Sequence, residues 1–441
     1  MKIALIGQDI PMLLPALLAD LLFAGRERDA AVWMEEKNDA MREVLRGYGG
    51  AVFRKAGLGG SLHVSENRKE VLSGADCVLY AGDPQAASRF FQDRSALESG
   101  NEEDPGLTDQ ARVNGGIEGL LHTLRAGQAV LSLCDEMDEN CPGALVINMG
   151  APVARTTRLF LDRGYPCFGL GPSPLRGSNG VETMKKRLPG NPAGIEAETA
   201  GLPGFAFLIR MEDTDSRKDW LPRLKKAAEG GDMGRLAKRW LSWWGAIPAG
   251  EATDHAEFLP AQPDYIPEEK PTFGETVERR KERILYMNTV SREGIDAREG
   301  AMAQLLLLSK APAIRPMRLA LAVLRKESGV FPAVAHENRG EMPQLPPEAI
   351  VETSLHLERG ERADQGIRVP PELAEILTEV DRANRLAARA AKGDREALRE
   401  WVEEDPALGG LDRLYCAEVV RALIALHADM LPLWREEGEK E

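Results

Sequence analysis

Five short apolar runs set the strongest limit on how this chain folds. They are Lys2–Ile6 (KIALI), Ala30–Met34 (AAVWM), Leu62–Val64, Cys77–Tyr80 (CVLY) and residues 144–150 (ALVINMG). Helical stretches separate them: Pro11–Phe23, Glu35–Tyr48, Lys69–Ser73 and Gly115–Cys134. Strands that alternate with helices form a parallel, doubly wound sheet. The fold class expected is therefore α/β, a Rossmann-like doubly wound parallel sheet. A second, mixed α+β and largely helical C-terminal domain follows, for which Ala349–Leu357 reads as a strand and the chain beyond Pro370 as helix. The expected division is a nucleotide-binding domain over 1–165 and a substrate-binding and oligomerisation domain over 166–441. Ligands on such sheets bind beyond the carboxyl ends of the strands. Those ends are Gly7, Met34, Ala81-Gly82-Asp83 and Asn148.

The first strand runs into Gly7-Gln8-Asp9-Ile10-Pro11. Dinucleotide folds place a glycine here so that the backbone approaches a pyrophosphate at a helix N-terminus. One glycine is present. Asp9 puts a negative charge at that point unless its side chain caps the helix that starts at Pro11. An acid at the end of the second strand serves the ribose hydroxyls, and Glu35 stands there. Gly7, Gln8, Asp9, Ile10, Glu35, Gly82, Asp83 and Asn148 are thus the expected NAD-binding residues. A Rossmann-like shell that has lost its cofactor is the competing expectation.

Residues 245–260, GAIPAGEATDHAEFLP, place Glu251, Asp254, His255 and Glu257 within seven positions. Ionisable groups that close shift one another's pKa or bind something jointly. Asp254, His255 and Glu257 are the candidate catalytic residues, with His255 as a base oriented by one of the two acids. The Trp243-Trp244 pair just before them suits either sugar stacking or core packing, and packing is the commoner use. A net charge of −14 argues against nucleic acid or an anionic membrane as partner. Five widely spaced cysteines without a CxxC suit reduced thiols and a cytoplasmic protein. No apolar run is long enough to span a membrane. Loops are expected at Asn101–Leu107 and Pro260–Phe273, and helices over Glu275–Leu285 and from Gly300 to Ser309. Val419–Leu433 reads as an amphipathic docking helix.

In order along the chain, several segments resemble glycoside hydrolase family 4, the NAD-dependent glycosidases, most of all its α-galacturonidase-like branch. They are KIALIG, GADCVLYAG (74–82), GLTDQARVNGGIEGLLHTLRA (106–126), CPGALVINMGAPVARTT (141–157), CFGLGPSP (167–174), AGLPGFAFLI (200–209), residues 245–260 and ENRGEMPQLPPEAIVET (337–353). The resemblance implies a Rossmann fold, NAD, and a sugar or glycoside substrate. It implies cleavage by transient C3 oxidation and elimination, unlike the two-carboxylate scheme. It also implies assembly as a homo-oligomer. Asn148, Arg155, Arg176, His336 and Asn338 become candidate substrate-binding residues. Arg155 and Arg176 are also candidates to stabilise an enolate.

The chain departs from the family at the divalent metal. Gly169-Leu170-Gly171-Pro172 stands against G-x-C-H, and Gly201-Leu202-Pro203-Gly204 against G-x-N-H. The cysteine and histidine ligand positions are Gly171 and Gly204, so that metal site cannot form as such. Ala151 replaces a substrate asparagine, and Asp254 stands at a histidine of the branch. Two expectations follow: a metal-independent NAD-dependent glycosidase, or an inactive member that serves as partner subunit, scaffold or sugar-binding protein.

Overall fold

The computed structural model describes residues 1–23, 30–57, 62–82, 86–99, 113–171, 173–260, 277–297, 300–301, 303–304, 315–363 and 366–435. The expected loops at Asn101–Leu107 and beyond Pro260 lie outside these residues, as do Asp83, Pro172 and most of the expected 300–309 helix.

One sheet organises the chain. Its strands are β1 (Lys2–Ile6), β2 (Ala31–Glu35), β3 (Leu62–Ser65), β4 (Cys77–Tyr80), β5 (Leu145–Asn148), β6 (Cys167–Leu170), β7 (Ile195–Leu202), β8 (Phe205–Asp213), β9 (Ile247–Ala249), β10 (Gly329–Glu337), β11 (Ile350–Glu358) and β12 (Glu361–Arg362). The order is β3-β2-β1-β4-β5-β6-β10-β11-β7-β8-β9, with β12 on β11. From β3 to β6 every pairing is parallel, in the 3-2-1-4-5-6 order of a dinucleotide-binding fold. At β6 the sense reverses, and pairing is antiparallel through β10, β11, β7, β8 and β9. The sheet is thus continuous across residue 165. Only Val334↔Leu170 and Ala335↔Gly169 join its parallel and antiparallel halves in register.

Alternation along the strands explains the two-layer cover. Ile3, Leu5, Cys77 and Leu79 face one core with the Ile10–Phe23 and Asp39–Lys55 helices. Ala4, Ile6, Val78 and Tyr80 face the other, with the Gly116–Asn140 and Pro371–Ala391 helices. Every residue from Gly116 to Gly127 is buried. This helix therefore has no solvent face in its first three turns, and its polar side chains must find partners inside.

One such partner set docks the C-terminal helices. Arg125 Nη2 donates to Asp93 Oδ2 at 2.7 Å, and both side chains are fully buried. The other carboxylate oxygen of Asp93 is bound by His427 Nε2, at the end of the Arg413–Leu426 helix. That helix packs by Val420, Leu423 and Ile424, the docking role expected of the amphipathic stretch. Trp244 packs in the core beside Phe205 and Phe207, whereas Trp243 is half exposed. All five cysteines are free and buried. Among the described residues no helix is long and apolar enough to cross a membrane.

Candidate active site

A groove of about 460 Å³ opens beyond the carboxyl ends of β1, β2 and β4. Gly7, Gln8, Glu35, Arg68, Tyr80 and Gly82 line it. Gly7 has φ 127°, and a Cβ there would stand 1.9 Å from the Ala81 carbonyl oxygen. Only glycine allows that approach between the ends of β1 and β4. Asp9 directly precedes the Ile10–Phe23 helix, and its carbonyl accepts the amides of Met12 and Leu13 at 3.1 Å. Its carboxylate lies against Gly82, where a Cβ would be 2.9 Å from Oδ2. Glu35 closes β2 and accepts from Arg68 Nε at 2.9 Å, while Arg68 Nη1 reaches Glu136 at 3.0 Å. Of the expected cofactor residues, Gly7, Gln8, Glu35 and Gly82 line the groove. Ile10 is core.

The acidic segment comes next. Ala252–Ala256 is a single helical turn and a half. Successive residues on a helix point about 100° apart, so its neighbours in sequence part company. Glu251 accepts from the Ser178 amide at 3.1 Å. Asp254 binds the Ser173 hydroxyl. Burial raises the Asp254 pKa, the Ser173 bond opposes that, and Glu251 adds to it.

His255 turns the other way. Its ring lies 5.1 Å from that of Phe205 and 5.0 Å from that of Phe207, and Nε2 meets the Ala249 carbonyl at 3.2 Å. Burial lowers its pKa to about 4, so the ring is neutral. No hydrogen bond joins it to Asp254 or Glu257, the pairing expected from sequence.

Glu257 Oε2 accepts from the Val113 amide (3.1 Å), the Asn114 amide (2.8 Å) and Asn114 Nδ2 (2.8 Å), at the entry to the Gly116–Asn140 helix. Burial pushes its carboxyl up to about 7, Asp254 adding to the shift and the Asn114 and Val113 donors resisting it. In an unfolded chain the same group titrates near 4.5. The folded state therefore keeps a proton that the unfolded state has released. This contribution to stability is full below that lower value and is lost as pH rises through about 7. Glu257→Gln should reduce the fall in stability between about pH 5 and about pH 8, read by chemical denaturation. An unchanged slope would sink the assignment.

The expected substrate residues are spread widely. Asn148 is buried, and Nδ2 donates to Thr156 Oγ1 (2.8 Å) and Thr157 Oγ1 (2.9 Å) while Oδ1 accepts from the Gly150 amide. Arg155 is buried, donating to Asn384 (2.8 Å) and Thr123 (2.8 Å), with its pKa lowered by burial to about 10. Arg176 is exposed. His336 bonds Thr353 Oγ1 at 3.0 Å, and burial and then Arg362 lower its pKa to about 4. Asn338 Nδ2 donates to the carbonyls of Met342, Leu345 and Pro346, stapling its own loop.

At the two former ligand positions the chain has different surroundings. Gly204 has φ 82° in the Pro203-Gly204 turn between β7 and β8, and an added Cβ would stand 3.4 Å from the Phe258 ring. A histidine there would meet both strain and that ring. At Gly171 an added Cβ would meet, among the described residues, only Glu352 Oε2, at 3.8 Å. Among the described residues no group of His, Cys, Asp or Glu has the geometry to hold a metal ion. The residues present do not fit the Cys/His metal site.

Glu352 was missed from sequence. It lies on β11 opposite Ala335 and Gly201, is fully buried, and among the described residues neither carboxylate oxygen has a hydrogen-bond partner. Burial and then Asp254 raise its pKa well above the usual value. An acid inside the apolar AIVETSL run was the available signal, because a buried glutamate is rare unless paired.

Residues 2–168 match the family described as family 4 glycosyl hydrolase. The fold of the whole chain is that of solved structures of similar length. The lplD protein of Bacillus subtilis is 20% identical with TM-score 0.73, covering 96% of this chain and 99% of that one. A 6-phospho-alpha-glucosidase from gut microorganisms, solved with NAD and Mn2+, is 14% identical with TM-score 0.74, covering 98% and 99%. The 6-phospho-beta glucosidase of Thermotoga maritima, solved with NAD and glucose-6-phosphate, is 14% identical with TM-score 0.68, covering 98% and 99%. No curated protein sequence matches the chain. The resemblance to family 4 is borne out over the N-terminal segment by sequence, and the Rossmann-like class by the fold.

Proposed function

We propose that the protein is an NAD-dependent glycosidase-like enzyme. It acts on a sugar or uronide by transient C3 oxidation and elimination, without the family's Cys/His metal site. The observation that carries this reading is a placement. The groove at β1, β2 and β4, the half-buried Asp254, and the buried Glu352, whose Oε2 lies near Gly171 at the end of β6, share the carboxyl edge of one sheet. The NAD-bound relatives support it. When bound, NAD supplies a hydride acceptor. Gly7 and Gly82 would let the backbone come close to the pyrophosphate, and Glu35 would hold the ribose hydroxyls. Asp254 and Glu257 hold or move protons at the sugar. In this reading residues 1–165 bind the dinucleotide and 166–441 the sugar. Homo-oligomeric assembly and a cytoplasmic location accompany it.

The glycines at 171 and 204 favour a second reading, an inactive subunit that partners an active homologue. Calorimetry separates the two. Saturable NAD binding, unchanged by manganese and weakened about tenfold or more in Glu35→Ala, is expected of the enzyme. No binding with or without manganese would sink it and turn attention to a protein partner.

A further inference from the structure

Structures of this fold have been solved with manganese and NAD, and among the described residues of this chain no group of His, Cys, Asp or Glu could hold a metal ion. Neither arginine suggested by the sequence fills the gap. Arg155 is tied to Asn384 and Thr123, and Arg176 is exposed. Glu352 has the opposite character. It is closed in, its two oxygens are without partners, and Oε2 looks at the space left by the missing side chain of Gly171. Asp254, held by Ser173, is the negative neighbour that discourages a second ionised carboxylate. A carboxyl in such surroundings stays protonated at neutral pH and becomes a hydrogen-bond donor.

We propose that Glu352, as a neutral carboxylic acid, donates a hydrogen bond to the C3 oxygen of the oxidised sugar and does the work that a metal ion does in relatives. The proposal rests on the NAD-dependent reading above. Once the C3 alcohol has given a hydride to the nicotinamide dinucleotide and its hydroxyl proton to a base, the sugar carries a C3 ketone. The C2–H bond then breaks. Its proton goes to a base, for which Asp254 and Glu257 are the candidates, and its electron pair forms the C2–C3 double bond. The carbonyl π pair moves onto the C3 oxygen. There the Glu352 O–H stabilises the charge without giving up its proton. The enolate next expels the C1 oxygen substituent.

Deuterium incorporation at C2 isolates this step, because a ketone supplied ready-made needs no hydride transfer. The full-length protein is incubated in D2O with NAD and the methyl 3-keto derivatives of a glucoside, a galactoside and a galacturonide. The wild type should exchange C2, and chelation of divalent ions should leave the rate unchanged. Glu352→Leu should slow exchange by about 10²–10³-fold, and Glu352→Gln, whose amide still donates, should stay within about tenfold of wild type. Unchanged NAD affinity shows that both variants are folded. The infrared difference spectrum between wild type and Glu352→Gln should show one protonated-carboxyl band at neutral pH, in addition to any that Glu257 contributes to both proteins.

Exchange in Glu352→Leu within about threefold of wild type overturns the proposal, as does exchange that requires added manganese. A wild type that exchanges none of the three ketones overturns it too. NAD calorimetry then says whether the glycosidase reading falls with it.

Discussion

Alanine in place of Gly7 should yield a protein that no longer binds NAD and is less stable by about 3–5 kcal/mol. Two independent penalties meet at this position. The backbone sits at φ 127°, where a side chain is strained. The new methyl would also stand 1.9 Å from the Ala81 carbonyl oxygen, a backbone atom that cannot rotate away. The relief open to the chain is to part the carboxyl ends of β1 and β4. That shift carries Gln8 and Gly82 with it, both of which line the groove. Calorimetric titration with NAD and urea unfolding together test the idea. Binding within about threefold of the parent would show that the turn tolerates the change.

Asp93→Ala should be as damaging to stability, without touching the groove. The substitution strips the buried Arg125 guanidinium of its ion-pair partner, and Arg125 Nε and Nη1 already lack hydrogen-bond partners among the described residues. His427 loses its carboxylate at the same time. Removing one partner of a buried ion pair costs about 3–5 kcal/mol, because the remaining charge is left uncompensated. Asp93→Asn keeps the shape and an acceptor oxygen, and should lose about 1–3 kcal/mol. A loss below about 1 kcal/mol in the alanine variant, by urea unfolding, would mean that Arg125 finds solvent or another acceptor.

Five of the six parallel strands were open to reading because each is a compact apolar run, whereas β6 lay in a segment read for its metal-ligand positions. Lys2–Ile6 and Cys77–Tyr80 are found with the boundaries expected, and β2, β3 and β5 within a residue or two. In the antiparallel half β11 was legible, expected at Ala349–Leu357 and found at Ile350–Glu358, and the other strands were hidden for local reasons. β10 contains Pro332, which argues against a strand interior. The structure accommodates it at an irregularity between Phe331 and Val334, next to Ala333 at φ 53°. β7 and β8 form a hairpin about Pro203-Gly204, a turn signal that was read as a ligand segment instead.

At the site, residue types were legible and directions were not. Glu251, Asp254, His255 and Glu257 lie within seven positions, yet a short helix sends them to Ser178, Ser173, the Phe205–Phe207 rings and the Asn114 amide. Proximity in sequence could not reveal Glu352 beside Gly171, because 181 residues separate them (352 − 171) and only the sheet register brings them close.

The seam where β6 meets β10 has a mechanical consequence. Two-lobed enzymes commonly bend about a flexible strap and shut on their ligands like jaws. Here backbone hydrogen bonds stitch the parallel and antiparallel halves of one sheet edge to edge, so any such bending would tear the Val334–Leu170 and Ala335–Gly169 rungs. The spacing between the groove and the carboxylates near β6 is therefore set when the chain folds.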